Sequence, residues 1–318
     1  MKALITGADG FVGAHLIAAL RASGWEVAAT KLRDNRKEEN DVSVYQLDIL
    51  NDQGLRDCLT AVQPDVVYHL AAQSSVADSW QNPARTVDVN IKGSLHLLEA
   101  LRSEKSHARV LLIGSAEEYG TPVLQEAVLE ENLALQPRNI YAVSKVAQNM
   151  IGKIYADAYN LDIVMVRAFN HIGPGQSRSF VVPDFCWQIV QMERGLQEPV
   201  LKVGNLEAKR DFTDVRDVVR AYQLLAAKGE KKKTYNVGSG SVLSIAQLLS
   251  HLLLLARIKI KVVVDQNRLR PLDVPSIQAD NSSLVVTTGW QPTIDWRQSL
   301  SDTLEYWRRY REEDDHGR

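Results

Sequence analysis

Short apolar runs separated by segments of helical period fill the first half of the chain. Residues 2–6 (Lys-Ala-Leu-Ile-Thr) are such a run, and they lead through a glycine-rich turn at 7–13 into the strong helix formers of 14–22. Residues 25–30, 44–49, 64–73, 110–113 and 163–167 repeat the pattern and read as further strands. Helices are expected between them: over 52–62, over 91–102 opening at Asn90, and through Tyr141 to 158 behind Pro137. In the second of these, Leu95, Leu97, Leu98 and Leu101 are packing positions. Such alternation predicts an α/β fold, a doubly wound parallel sheet with right-handed crossovers.

From Phe169 onward the pattern changes. Residues 170–176 (Asn-His-Ile-Gly-Pro-Gly-Gln) are turn-rich, and isolated strands and helices follow. The expected organisation is a first domain over 1–169 with a return around 213–240. A smaller α/β domain, 170–212 and 241–318, closes over the sheet edge. The charged tail 311–318 is expected to fray.

Composition narrows the function. The 318 residues are 45% hydrophobic and 24% charged, with a formal net charge of −2, which suits a globular enzyme and gives no basis for nucleic-acid binding. Cys58 and Cys186 lie far apart and the seven histidines form no ligand motif, so free thiols in a reducing cytoplasm and no metal site are expected. Asp9 and the glycines interrupt the N-terminal apolar stretch, and no run reaches membrane-spanning length.

The candidate chemistry lies at strand ends. A strand, the turn Gly7-Ala8-Asp9-Gly10-Phe11-Val12-Gly13 and a helix together suggest a dinucleotide site, with the helix N-terminus facing the pyrophosphate. After the second strand come Lys31, Arg33 and Arg36 instead of the acid that binds a ribose 2′-hydroxyl, which favours NADP(H) over NAD(H); the competing reading is a solvated cationic loop. Asp48, with Ile49 beside it, is placed to approach the adenine edge, and the small-residue end of the fourth strand, at Leu70, Ala71 and Ala72, lets the nicotinamide half pass close to the backbone. Tyr141 and Lys145 share one helix face, one turn apart, where an ammonium is expected to lower the phenol pKa. Ser115, just past the fifth strand, supplies a second hydroxyl.

With Thr6-Gly7-Ala8-Asp9-Gly10-Phe11-Val12-Gly13, His69-Leu70-Ala71-Ala72, Asn90, Ser115 and Tyr141-x-x-x-Lys145 in this order, the chain resembles the extended short-chain dehydrogenase/reductase family over nearly its full length. The resemblance implies a Rossmann-type NADP-binding domain and a nucleotide-sugar domain. It also implies Ser115, Tyr141 and Lys145 as the catalytic set, with Asn90 and His171 near the cofactor; His171 also reads as a satisfied turn histidine. Segments 169–176, 203–217 and 269–275 look like the branch that handles GDP-mannose-derived sugars. That branch implies NADPH-dependent reduction of a GDP-linked 4-keto-6-deoxy-hexose. Arg210, Arg270 and, more weakly, Lys202 would bind the diphosphate, Asp273 a ribose hydroxyl, and Asn170 a sugar or phosphate oxygen. Glu117 either bonds the sugar or acts as the base of a 4,6-dehydratase, the alternative activity. A non-catalytic NADP sensor is a third reading, against which the complete Ser–Tyr–Lys set argues. The family also implies a homodimer through a four-helix bundle formed by the helix after Asn90 and the Tyr141 helix.

Overall fold

A computed structural model describes residues 1–32, 42–120, 128–268 and 276–310. Arg33, Arg36, Arg270, Asp273 and the tail 311–318 lie outside the described residues. Seven parallel strands form the central sheet, in the spatial order Thr234–Val237, Ile163–Ala168, Arg109–Ser115, Val66–His69, Lys2–Thr6, Glu26–Lys31, Val42–Gln46. The middle strands are continuous apolar runs because helices cover both faces. Ala3 and Ile5 enter the core with helices Phe11–Ala22 and Val215–Lys228, whereas Leu4 enters the opposite core with Asp52–Val62 and Gly93–Ser103. Among the described residues no helix is long and apolar enough to cross a membrane.

The strand order reverses between Lys2–Thr6 and Val66–His69, paired in register Thr6↔His69. Ligand crevices form at such a reversal, outside the carboxyl ends of the strands. Here Gly7 turns with φ +68°, and a Cβ on it would lie 2.6 Å from the Cα of Ala71. Glycine therefore lets the first and fourth strand ends meet.

Three local expectations are corrected. The third strand is Val42–Gln46 and ends before Asp48. Asp48 instead builds a turn, its Oδ1 accepting from Leu50 N–H at 3.0 Å and its carbonyl from Asn51 N–H at 2.8 Å. Asn90 does not open a helix: it lies inside a π-helical turn, Asp88–Lys92, between Pro83–Val87 and Gly93–Ser103. The fourth strand covers only Val66–His69, after which residues 70–72 leave the sheet.

A second layer contains strand Lys209–Asp214, paired with Asn170–Ile172, Val242–Ser244 and Ser276–Ala279. The fully buried Asp211 joins it to the neighbouring turns by accepting from Ser239 N–H and Oγ, Gly240 N–H and Ala279 N–H. The chain also returns to the large sheet late: Leu284 and Trp290 pack in the same core as helix Val215–Lys228.

Candidate active site

The cradle at the strand reversal is a set of unclaimed amides. Gly10 caps helix Phe11–Ala22 without a side-chain hydrogen bond, and the first turn holds no acid. The opening N–H groups at Phe11, Val12 and Gly13 have no acceptor within the helix, so they and the helix dipole favour an anion. The turn is tied to the second strand, Gly7 N–H donating to Thr30 Oγ1 at 3.3 Å and Ala8 N–H to Thr30 O at 2.9 Å. Lys31 ends that strand, half-buried. These residues fit a dinucleotide. Phe11 also stacks on His171, with ring centroids 5.9 Å apart.

A relay of hydrogen bonds fixes the other wall. Ala71 N–H donates to Thr6 Oγ1, so the hydroxyl turns its proton to His69 Nδ1 at 2.8 Å. His69 Nε2 then donates to Ser94 Oγ, which donates to the carbonyl of Asn90. Burial pushes His69 down to about 3, with Lys145 adding to the effect, so the ring is neutral. Both protons of the Asn90 side chain are committed: Nδ2 donates to Gln73 O and Ser144 Oγ, and Oδ1 accepts from Gln73 N–H. It ties the fourth-strand loop to the tyrosine helix. Ile49 likewise points its side chain into the core against Gly93.

Ser115, Tyr141 and Lys145 are all buried. Ser115 is the last residue of its strand, and its hydroxyl accepts from Glu117 N–H at 3.2 Å. Asn139 caps the helix Ile140–Ala158 through Ala142 N–H, which sets Tyr141 in the first turn. Burial pushes the Tyr141 phenol up to about 12; the Ser115 hydrogen bond pulls it down, while Glu117 and Glu118 push it up. The expected lowering by Lys145 does not occur, and the only group that pulls the phenol down is Ser115. Lys145 Nζ points elsewhere, donating to Ile113 O at 2.8 Å and Gln148 Oε1 at 3.0 Å. Burial lowers Lys145 to about 8, opposed by Glu118. Two of its three protons are committed, which leaves one N–H for a ligand.

Glu117 accepts from Asn139 Nδ2 at 3.1 Å, which holds it near Tyr141. In the second layer, Asn170 is exposed and stands opposite Phe212, two residues from the half-buried Arg210. Arg210 donates to Lys209 O at 2.8 Å. Lys202 is exposed on a separate two-stranded sheet, Val200–Val203 with Lys261–Val264, so the structure does not group it with Asn170 and Arg210. Sequence reasoning missed Asn139 and Gln148. The first is an N-cap three residues before Ala142, a legible signal; the second has none beyond its i+3 spacing from Lys145.

The family model described as GDP-mannose 4,6 dehydratase matches residues 4–303. The chain belongs to this family of extended short-chain dehydrogenases/reductases. Within or near it, the chain is 36% identical to the GDP-6-deoxy-D-mannose reductase of Pseudomonas aeruginosa, over 98% of this chain and 99% of that one. It is 32% identical to GDP-mannose 4,6 dehydratase 2 of Arabidopsis thaliana, over 92% of this chain and 83% of that one. Among solved structures, RMD from Pseudomonas aeruginosa complexed with NADPH superposes with a TM-score of 0.86 at 35% identity, covering 96% of this chain and 98% of that one. The UDP-glucose 4-epimerase of Thermus thermophilus in complex with NAD also gives 0.86, at 27% identity over 97% and 99%.

The buried ammonium gives a direct prediction. Lys145 carries its charge below pH 8 and loses it as pH rises through about 8. Side-chain NMR of labelled lysines should show one resonance titrating there, absent in Lys145→Met; a Lys145 midpoint at the ordinary value of ~10.4 would contradict the geometry.

Proposed function

We propose that this extended dehydrogenase/reductase catalyses NADPH-dependent reduction of GDP-4-dehydro-6-deoxy-D-mannose at C4, giving GDP-6-deoxy-D-mannose (GDP-D-rhamnose). The observation that carries the reading is the buried Tyr141 phenol, hydrogen-bonded to Ser115 and one helical turn from the buried Lys145. The GDP-6-deoxy-D-mannose reductase relative, matched nearly end to end, supports the substrate. When bound, NADPH supplies the hydride that C4 accepts.

Tyr141 gives its proton to the oxygen developing on C4, and Ser115 donates a hydrogen bond to the same oxygen. With its pKa raised, Tyr141 serves as a donor; solvent restores its proton. Lys145 uses its remaining N–H on the nicotinamide ribose and supplies positive charge near the phenolate that forms. The amides of Phe11, Val12 and Gly13, with Gly7 and Gly10 keeping the turn close, hold the pyrophosphate. Lys31 and Arg33 would take the 2′-phosphate, Asp48 and Ile49 would face the adenine, residues 70–72 the nicotinamide half, and His171 would lie near the cofactor. Arg210 and Arg270 bind the substrate diphosphate, Asp273 a ribose hydroxyl and Asn170 the sugar, with Lys202 a peripheral cation. This second layer forms the nucleotide-sugar domain.

Glu117 favours one other reading. Held by Asn139 near Tyr141, it is a carboxylate that could serve as the base of an elimination at C5, as in a 4,6-dehydratase. The reductase reading requires it to bond the sugar only. Absorbance at 340 nm separates the two: NADPH is consumed with the keto sugar and not with GDP-mannose. Ser115→Ala should lower kcat by about 10²–10³. Conversion of GDP-mannose without net NADPH loss would establish the dehydratase instead, and turnover of neither would leave a sensor.

The enzyme works in the cytoplasm as a homodimer. Val143, Met150 and Ile154, exposed at 44%, 56% and 59%, line the outer face of helix Ile140–Ala158. Trp80 and Val87 stand exposed on helices packed beside it, and Gly93–Ser103 completes the pair that a second copy would turn into a four-helix bundle. Sedimentation should show a dimer that Met150→Glu with Ile154→Glu converts to a folded monomer; an unchanged dimer would place the interface elsewhere.

A further inference from the structure

Directly beneath Ser115 lies a fully buried carboxylate that the proposed chemistry does not use. Glu118 Oε1 accepts from Ser115 N–H at 2.9 Å. Asn149 Nδ2 donates to both carboxylate oxygens, at 2.7 and 2.6 Å, and Arg167 Nε donates to Oε2 at 3.0 Å. These three donors come from three elements. Ser115 ends the strand Arg109–Ser115, Asn149 is on the helix that carries Tyr141 and Lys145, and Arg167 is on the next strand, Ile163–Ala168.

The remaining contacts make the junction rigid. Arg167, itself buried, donates to Tyr119 Oη at 3.0 Å and Glu131 O at 2.9 Å, and stacks over the Tyr119 ring at 4.7 Å. Tyr119 donates onward to Asn236 Oδ1 at 2.7 Å. The orientation of Asn149 is informative. Its amide nitrogen faces the carboxylate although its Oδ1 is then buried with no partner. Burial pushes the Glu118 carboxyl up, and the Arg167 guanidinium, the Ser115 amide and the Asn149 amide pull it back towards the charged form. Gly114 clears the path: a Cβ there would collide with Glu118 Oε1 and approach Val166 O to 2.6 Å.

A capping box explains part of this, since Ser115 accepts from the turn while Glu118 returns a bond to Ser115 N–H. A capping box by itself, however, needs neither the arginine of a neighbouring strand nor an amide of the facing helix. We propose that Glu118 is a positioning residue, whose carboxylate fixes Ser115 relative to Tyr141 by tying the serine backbone to the tyrosine helix through Asn149 and to the sheet through Arg167. The proposal rests on the reductase reading for its kinetic consequence and on geometry alone for its structural one. Glu118 also bears on both ionisable partners, since its charge holds Lys145 up against burial and pushes Tyr141 up.

Glu118→Gln keeps the shape but cannot accept from all three donors at once. Loss of alignment at a reacting centre typically costs about 10²-fold per ångström. The variant should bind NADPH as the wild type does, keep its KM for the keto sugar within about threefold, and lose about 10–10² in kcat. Placed on Ser115→Ala, the same change should cost clearly less than it does in the wild type, because the part that acts through Ser115 is already gone and only the effect of its charge on Tyr141 and Lys145 remains. Equal losses in both backgrounds would show a general structural role and overturn the proposal, as would an unchanged kcat. If Glu118→Gln does not fold, Asn149→Ala, which withdraws the helix donor, goes through the same cycle. A crystal structure of the folded variant tests the positioning role without reference to turnover. Displacement of Ser115 Oγ relative to Tyr141 is expected, and an unmoved Ser115 overturns the proposal. Wild-type inactivity towards the keto sugar would refute the function while leaving that structural result to stand or fall separately.

Discussion

Desolvation at the carboxyl edge of the sheet is the constraint on which this site depends. Tyr141 and Lys145, one helical turn apart, are both buried, and neither charge is neutralised by direct contact with the other. Burial moves each towards its uncharged form, the phenol to about 12 and the ammonium to about 8. The protein answers with dipoles: Ile113 O and Gln148 on the ammonium, the Ser115 hydroxyl on the phenol. A group kept protonated in this way is suited to delivering a proton to a carbonyl that is being reduced.

Around that pair, the wall residues direct their polar atoms at one another. The relay from Ala71 through Thr6, His69 and Ser94 to Asn90 leaves a neutral imidazole and an asparagine with both amide protons committed. Neither can then donate freely to a ligand; both instead hold strand ends and helix at fixed separation. Asp211 plays the corresponding part in the second layer, where four donors fix the segments on either side of Arg210. Rigid positioning by buried, satisfied groups is what a site needs when its chemistry depends on alignment.

The sheet was legible in the sequence because parallel strands covered on both faces read as unbroken apolar runs, and the glycine turn because Gly7 must adopt φ +68° against Ala71. Tyr141 and Lys145 were legible from their spacing. What the spacing could not reveal was where Lys145 would point, since Ile113 and Gln148 compete for its ammonium, and so the expected drop in the phenol pKa did not follow. The local structure around Asn90 and Asp48 was illegible for a similar reason. Their partners are decided by packing, with Ser144 lying 54 residues from Asn90, while a local turn claims Asp48. The π-helical turn around Asn90 leaves no hydrophobic period by which it could be recognised.

The central claim is that the site moves one hydride to C4 and one proton to its oxygen, and leaves C5 untouched. The most direct measurement is NMR of the product formed from the keto sugar with NADPH deuterated at the nicotinamide C4, in ordinary water, beside a parallel reaction with unlabelled NADPH in deuterium oxide. The account predicts deuterium at C4 of the sugar in the first product and no enzyme-dependent incorporation at C5 in the second. Enzyme-dependent label at C5 would show that a base, for which Glu117 is the candidate, removes that proton, and no label at C4 would show that no hydride is transferred; either result contradicts the account.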